Sequence, residues 1–143
     1  MNQKERLEEI ENILKELIDL NSQIPILVEG RKDKKTLKEL GVMGEIIKLN
    51  TGNSLFNMCE KLSAEHDKVI ILTDWDRRGG QLCRLLREGF TANNVKCNDE
   101  IRTKLVRLCK KEIKDVEGLS TYINRLRREL MGSKENRRRI EKL

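Results

Sequence analysis

Histidine and proline are scarce in this sequence, and its cysteines are scattered. There is one His and one Pro, and Cys59, Cys83, Cys97 and Cys109 form no C-x-x-C pair. A structural zinc site needs ligands clustered in pairs, so we do not expect one here. Four cysteines in 143 residues are also too few for a disulfide scaffold. We therefore expect reduced thiols in a cytoplasmic protein.

Long hydrophobic runs are also missing. No stretch approaches the roughly 18 to 20 apolar residues that cross a bilayer. Residues 1–20 are acidic and amphipathic, unlike a signal peptide with its basic start and apolar centre. The nucleotide-binding loop G-x-x-x-x-G-K-[ST] is absent, which excludes an ATPase of that class. We expect no membrane interaction and a single domain with helical additions.

Charge is abundant and unevenly distributed. Charged residues make up 38% of the chain, and the net charge is +6. Residues 1–101 carry 16 basic and 18 acidic residues (net −2), whereas residues 102–143 carry 14 basic and 6 acidic residues (net +8). A basic block of this kind favours binding to a polyanion. The alternative is a solvated helix in an ion-rich protein.

Short apolar runs alternate with segments of helical periodicity. This pattern predicts parallel βαβ units. The predicted strands are 26–28, 46–49, 69–72 and 95–97, with an edge strand at 113–116. The predicted helices are 3–20, 32–40, 55–62, one opened by Gly79 and Gly80, 99–110 and 119–130. A turn is predicted at 51–53, and a basic tail from residue 132.

Three carboxylates follow predicted strands. Glu29 ends the first strand, Asp74 ends the third, and Asp76 lies two residues later. Ligand sites in parallel sheets form beyond the carboxyl ends of the strands, so these side chains should meet at one edge. Carboxylates without histidine or thiol partners select Mg²⁺ or Mn²⁺. An isolated D-x-D is common turn chemistry, but the E-G after an earlier strand favours a metal site.

Glycines and cations surround these acids. Gly30, Gly79 and Gly80 would let backbone approach a phosphate. The cations that would contact nucleic acid near the acids are Arg31, Lys32, Arg77 and Arg78. Acids that bind metal, ringed by cations, are typical of a site for phosphodiesters.

Two segments carry a family resemblance. The segments ILVEGRKD (residues 26–33) and IILTDWDRRG (residues 70–79) resemble the two motifs of Toprim domains in order and spacing. Toprim domains occur in primases, topoisomerases, OLD-family nucleases and the ribonuclease that matures 5S ribosomal RNA. The E-G-R-x-D form is most similar to small stand-alone Toprim proteins and that ribonuclease.

The resemblance implies a fold and residue roles. It implies an α/β, Rossmann-like fold with about four mainly parallel strands, an N-terminal helix (1–22), a Toprim domain (23–117) and a basic C-terminal helix and tail (118–143). Glu29 would be the acid–base residue, Asp74 and Asp76 would bind Mg²⁺ or Mn²⁺ together with Glu29, and Asp33 would be a secondary polar contact. Topoisomerases carry an acid where this chain has Arg78, which argues against that activity.

Two functional classes remain open. One is a Mg²⁺-dependent nuclease acting on nucleic acid, with structured RNA favoured over DNA. The other is a nucleic-acid or ribonucleoprotein-binding module that keeps the acidic site and relies on a protein partner or a second copy. Trp75 either stacks on a base or packs on a helix. Further residues that either contact phosphates or are merely solvated are Arg84, Arg87, Arg125, Arg127, Arg128, Arg137, Arg138 and Arg139.

Overall fold

The computed structural model describes residues 1–49 and 54–142, without the side chains of residues 133–136. The turn predicted at 51–53 lies outside the described residues. The helices are α1 (Gln3–Asn21), α2 (Arg31–Glu39), α3 (Leu55–Ser63), α4 (Arg77–Ala92), α5 (Glu100–Cys109) and α6 (Leu119–Glu141). The strands are β1 (Ile26–Val28), β2 (Ile46–Lys48), β3 (Lys68–Ile71) and β4 (Lys96–Asn98). Within the described residues, no helix is long and apolar enough to span a membrane.

The four strands form one parallel sheet in the order β2-β1-β3-β4. Ile26 of β1 lies beside Ile46 of β2 on one side and beside Ile70 of β3 on the other. The predicted α/β class and parallel sheet are therefore confirmed. Because β1 and β3 are neighbours and run the same way, the residues that follow them emerge at the same edge.

Alternate strand residues face two separate cores. Ile26 and Val28 belong to a large apolar cluster with α1, α2, α5 and α6, whereas Leu27 belongs to a smaller cluster with α3 and α4. The sheet thus lies between two helical layers, as its continuous apolar strands require. The apolar face of α1 packs on the larger core, where Ile10 and Leu17 are fully buried. Full burial of each such side chain stabilises the fold by about 1.5–3 kcal/mol.

Three predicted features differ from the structure by more than one residue. Helix α4 begins at Arg77, ahead of the predicted glycines, because the Asp76 side chain caps its first turn. Residues 113–116 form a bend rather than an edge strand, because their backbone groups bond to the β3–α4 loop instead of to a strand. The predicted tail is helical, because Gly132 does not end α6, which continues to Glu141.

Candidate functional site

An open cavity of about 520 Å³ lies at the carboxyl edge of β1 and β3. Five carboxylates line it, and its cations are Arg31, Lys32 and Arg78; the carboxylates belong to Glu29, Asp33, Asp74, Asp115 and Glu117. Glu29 follows β1 directly, and Asp74 follows β3 after two buried residues, Leu72 and Thr73. The parallel pairing of these two strands is what brings the two acids together.

Glu29 and Asp74 are in direct contact. The backbone N–H of Asp74 donates to Glu29 Oε2 at 2.7 Å, and Asp74 Oδ1 accepts from the backbone N–H of Val116 at 3.0 Å. Burial is the main cause that raises the pKa of the Asp74 carboxyl to about 7, and the charges of Asp33 and Glu29 raise it further. In the absence of a cation, the cavity therefore favours a proton on Asp74.

Asp33 is a buried acid that joins two walls of the cavity. It is 6% exposed, and its Oδ2 accepts from the backbone N–H of Gly30 at 3.0 Å in a capping interaction at the start of α2. Burial, together with the charges of Glu29 and Asp115, raises the pKa of its carboxyl. Asp33 thereby holds the turn that carries Glu29, as a secondary polar residue would.

Asp76 is placed differently from the other two predicted metal ligands. It is exposed, its Oδ1 accepts from the backbone N–H of Gly79 at 2.7 Å, and it is absent from the residues that line the cavity. In the described part of the chain, no three His, Cys, Asp or Glu side chains are arranged to hold a metal ion. The structure therefore brings Glu29 and Asp74 together but not all three.

The donor chemistry nevertheless fits a hard divalent cation. The cavity offers carboxylate oxygens and no thiol or imidazole, which suits Mg²⁺ or Mn²⁺. Five carboxylates against three cations leave an excess of negative charge. Burial combined with that negative charge raises the pKa of Asp74. A bound divalent ion would offset the negative charge and lower this pKa.

Two features that hold Asp74 were not predicted from the sequence. Arg102 of α5 donates from Nε to the Thr73 carbonyl at 3.1 Å and from Nη2 to the Asp74 carbonyl at 2.8 Å. A Cβ at Gly79 would collide with the Asp74 carbonyl, so only glycine fits this close approach. No local motif marks Arg102, because it lies 28 residues beyond Asp74 and acts only through the folded structure.

A third segment of the chain, which the sequence did not reveal, reaches the cavity through Asp115 and Glu117. The Trp75 backbone N–H donates to the Lys114 carbonyl at 2.9 Å, and its indole Nε1–H donates to the Ile113 carbonyl at 2.6 Å. Trp75 also packs against the larger apolar core, so the packing alternative is the one that the structure shows. This arrangement places Asp115 and Glu117 at the cavity.

The predicted phosphate-approach glycines all have protein acceptors for their N–H groups. Gly30 N–H donates to Asp33 at 3.0 Å, Gly79 N–H to the Asp76 side chain at 2.7 Å, and Gly80 N–H to the Asp76 carbonyl at 3.0 Å. In this structure these amides stabilise the loops of the site. The cations of the cavity are therefore the groups that remain available to bind a phosphate.

The predicted basic residues fall into two groups. Some are engaged with acids, in the pairs Lys32–Glu117 (3.8 Å), Arg87–Asp99 (2.8 Å), Arg125–Glu112 (2.7 Å) and Arg127–Glu11 (3.2 Å). Others are exposed and form no ion pair with a described side chain, namely Arg31, Arg77, Arg78, Arg84, Arg128, Arg137, Arg138 and Arg139. Surface pairs of the first kind are individually weak and leave their cations exchangeable.

Comparison with known proteins agrees with this geometry. The Toprim domain family matches residues 24–126. The chain is 46% identical over 125 residues to the UPF0292 protein of Methanosarcina barkeri, covering 87% of each chain. It is 32% identical to the UPF0292 protein of Methanocaldococcus jannaschii, covering 87% of this chain and 98% of that one.

A solved structure of a protein from Aquifex aeolicus is also similar. It has a TM-score of 0.64 and 27% sequence identity, and the alignment covers 74% of this chain and 94% of that chain. Toprim domains generally bind Mg²⁺ through acidic residues and act in nucleic-acid metabolism, so the family implies a metal-binding function related to nucleic acid. The fold, the acidic pair and these similarities together show that the chain belongs to the Toprim domain family.

Proposed function

We propose that the protein is a Mg²⁺-dependent nuclease, active with Mg²⁺ or Mn²⁺, that hydrolyses phosphodiester bonds in structured RNA. Asp74, Asp76 and Glu29 would hold the metal ion, and Glu29 would also act as the acid–base residue. The observation that supports this most is the 2.7 Å hydrogen bond joining Glu29 to the Asp74 backbone within a cavity that also holds Arg31 and Arg78.

The bound ion would neutralise charge on the scissile phosphate and align its oxygens. The chain's own groups do the rest. The Asp74 N–H fixes Glu29 Oε2, which orients the carboxylate and leaves Oε1 to exchange a proton with the attacking water or leaving oxygen. Arg31 and Arg78 line the cavity as cations that would bind phosphate oxygens. Asp33 keeps the Glu29–Gly30 turn in place.

RNA is favoured as substrate for two reasons. The E-G-R-x-D motif resembles that of the ribonuclease that matures 5S ribosomal RNA, and the same motif makes the site primase-like. Helix α6 adds a long basic surface that suits a folded substrate wider than one strand. All four cysteines are free, and three are buried, which suits the reducing cytoplasm in which such a substrate is found.

A second function is favoured by Asp76. Its carboxylate caps α4 rather than facing the cavity, and the described residues contain no ready three-ligand site. A module that binds nucleic acid or a ribonucleoprotein, and that depends on a protein partner or a second copy for activity, would need no such site in the free chain.

A paired cleavage and binding assay distinguishes the two. Labelled hairpins of RNA and of DNA with the same sequence are incubated with Mg²⁺ or Mn²⁺ and wild-type protein, or with the Asp74→Asn, Asp76→Asn double variant. If the protein is a nuclease, the wild type cleaves RNA, and cleavage is lost when the metal is chelated or when the double variant is used. Mn²⁺ then raises the melting temperature of the wild type but not that of the double variant. Binding without turnover supports the second function. A Mn²⁺ shift that persists in the double variant contradicts the metal assignment.

A further inference from the structure

Three exposed lysines belong to the same segment of the chain as two acids of the cavity, Asp115 and Glu117, and to no predicted site. Lys110, Lys111 and Lys114 lie in the segment that follows α5, and all three are exposed. None of them forms an ion pair with a side chain that the structure describes. Among the described residues, no carboxylate therefore lies within ion-pair distance of their ammonium groups.

Glu112, the acidic residue that lies between these lysines in the sequence, is paired with Arg125. Glu112 Oε2 accepts from Arg125 Nη2 at 2.7 Å, and the Arg125 guanidinium lies 5.1 Å from the centre of the Tyr122 ring. The sequence leaves open whether Arg125 contacts phosphates or is only solvated. In the structure it instead removes a negative charge from between the lysines, which leaves residues 110–114 with a net positive surface.

The segment is fixed to the residues of the candidate metal centre. The carbonyls of Ile113 and Lys114 accept from Trp75 at 2.6 and 2.9 Å, and the Val116 N–H donates to Asp74 Oδ1 at 3.0 Å. These hydrogen bonds set the position of the Lys114 backbone relative to Asp74. Lys114 directly precedes Asp115 of the cavity, and Lys110 and Lys111 lie four and three residues before Lys114.

The charges of the cavity alone are poorly suited to binding a polyanion. Its five carboxylates repel a polyanion, and one of its three cations, Lys32, is paired with Glu117. The arginines near the end of α6 lie too far away to help, because Arg138 is 19 residues beyond Leu119, or about 28 Å along the helix. At physiological salt, screening limits the distance over which such exposed charges act to roughly 8 Å.

We infer that residues 110–114 form the phosphate-binding rim of the active cavity, with Lys110, Lys111 and Lys114 holding the nucleic-acid backbone beside the scissile phosphate. This inference rests on the proposed function. Lysine suits the task because its ammonium is a compact charge that contacts phosphate without reading bases. A substrate only a few base pairs long would reach this rim, whereas a longer one would also reach the end of α6.

Two triple variants of equal charge test the rim. One replaces Lys110, Lys111 and Lys114 with Gln, and the other replaces Arg137, Arg138 and Arg139 with Gln. Each removes three positive charges, and both are made in a Glu29→Gln background to prevent cleavage. The probes are an RNA hairpin of about six base pairs and a duplex of about 24 base pairs, titrated at several salt concentrations.

The lysine variant should bind the short hairpin at least about tenfold more weakly, with the salt slope reduced by roughly two to three. The arginine variant should bind that hairpin within about twofold of its parent and show weaker affinity only for the long duplex. Replacing the three lysines with arginine should restore binding.

Equal decreases in affinity in the two variants, or unchanged short-hairpin binding in the lysine variant, would overturn the inference. So would a lower melting temperature with unchanged affinity, because that result would mean the lysines only stabilise the end of α5. If the parent binds neither probe, the proposed function itself fails, which is a separate and recognisable result.

Discussion

The acidic cavity and the last part of α6 (residues 131–141) are both highly charged, but their charges are held in opposite ways. At the cavity, Asp74 is fixed through its N–H, its carbonyl and one carboxylate oxygen. In the last part of α6, Arg137, Arg138 and Arg139 are exposed and contact no described acid. Metal coordination and proton transfer need atoms placed to within a fraction of an ångström, whereas attraction of a polyanion needs only charge of the right sign.

The contrast extends to packing. The first part of α6 buries Leu119, Tyr122, Ile123 and Leu126 against the core, but Met131 and Ile140 are 62% and 69% exposed. The end of the helix therefore contributes little to the stability of the fold. We infer that the cavity carries the chemistry and the end of α6 the long-range attraction, and four predictions test this division.

The largest difference should appear in catalysis. Glu29→Gln should lower the rate of cleavage by about 100-fold to 10,000-fold, because the residue exchanges a proton in the reaction. The triple change of Arg137, Arg138 and Arg139 to Gln should leave kcat unchanged and raise KM. Single-turnover and steady-state assays on the same RNA would check this. Equal decreases of kcat in both variants would contradict the division of roles between the cavity and the end of α6.

Next in size should be a pair of glycine substitutions. Gly79→Ala would place a Cβ against the Asp74 carbonyl and should cost about 2–3 kcal/mol of unfolding free energy and abolish the Mn²⁺-induced thermal shift. Gly132→Ala meets open space within α6 and should not destabilise the protein; it should raise the unfolding free energy by at most about 1 kcal/mol, because alanine favours helix. Denaturant unfolding with and without Mn²⁺ measures both. A tolerated Gly79→Ala with a normal Mn²⁺ shift would contradict the close packing.

A smaller effect should follow from pH. Because the pKa of Asp74 is raised to about 7, the folded state binds a proton more tightly than the unfolded state does. The contribution of Asp74 to the stability of the metal-free protein should therefore be fully present below about pH 4 and be lost as pH rises through 7. Asp74→Asn should remove this decline and stabilise the metal-free protein at pH 8 by about 1 kcal/mol, since solvent screens a half-buried carboxyl.

The same titration should govern metal binding, with the opposite sign. A cation needs the deprotonated carboxylate, so the thermal shift given by Mn²⁺ should grow as pH rises through about 7. Thermal melts from pH 5 to 9, with and without Mn²⁺, would check both trends. A shift that does not depend on pH would place the metal elsewhere.

The smallest effect should come from the end of α6 alone. The triple change of Arg137, Arg138 and Arg139 should flatten the dependence of log affinity on log salt by roughly 0.7–0.9 for each phosphate that these arginines no longer neutralise. It should do so equally for many sequences, because the arginines bind phosphates and carry no base information. Affinity that is unchanged at every salt concentration would mean that these arginines are only solvated.

The sequence was informative wherever a feature depends on neighbouring residues. Three consecutive apolar residues predicted β1 with its observed bounds, and the order of the strands was enough to bring Glu29 and Asp74 together. Features set by distant residues were not predictable. The edge strand predicted at 113–116 was wrong because Trp75 binds the carbonyls of that segment, a contact across 38 residues. Arg102 was missed for the same reason.

Helix ends show a related limit. Gly132 suggested a tail because glycine disfavours helix by about 1 kcal/mol, yet α6 continues through it. Asp76 was interpreted as a metal ligand in preference to turn chemistry, although aspartate is also a preferred cap of a helix start. One residue type served two kinds of chemistry, and only the structure shows which one the free chain uses.

The hydrogen bond between Val116 and Asp74 has a consequence for the order of folding. It joins residues 42 positions apart, and Glu29 lies 45 positions before Asp74. Contacts between residues so far apart in the sequence form late in folding, because closing a long loop costs conformational entropy before the contact contributes any stabilising energy. The pairing of β1 with β3 spans a similar separation, because Ile26 lies beside Ile70, so the cavity should form together with the centre of the sheet. Metal affinity should arise only in the last stage of folding, which makes Mn²⁺ binding a reporter of the fully native chain.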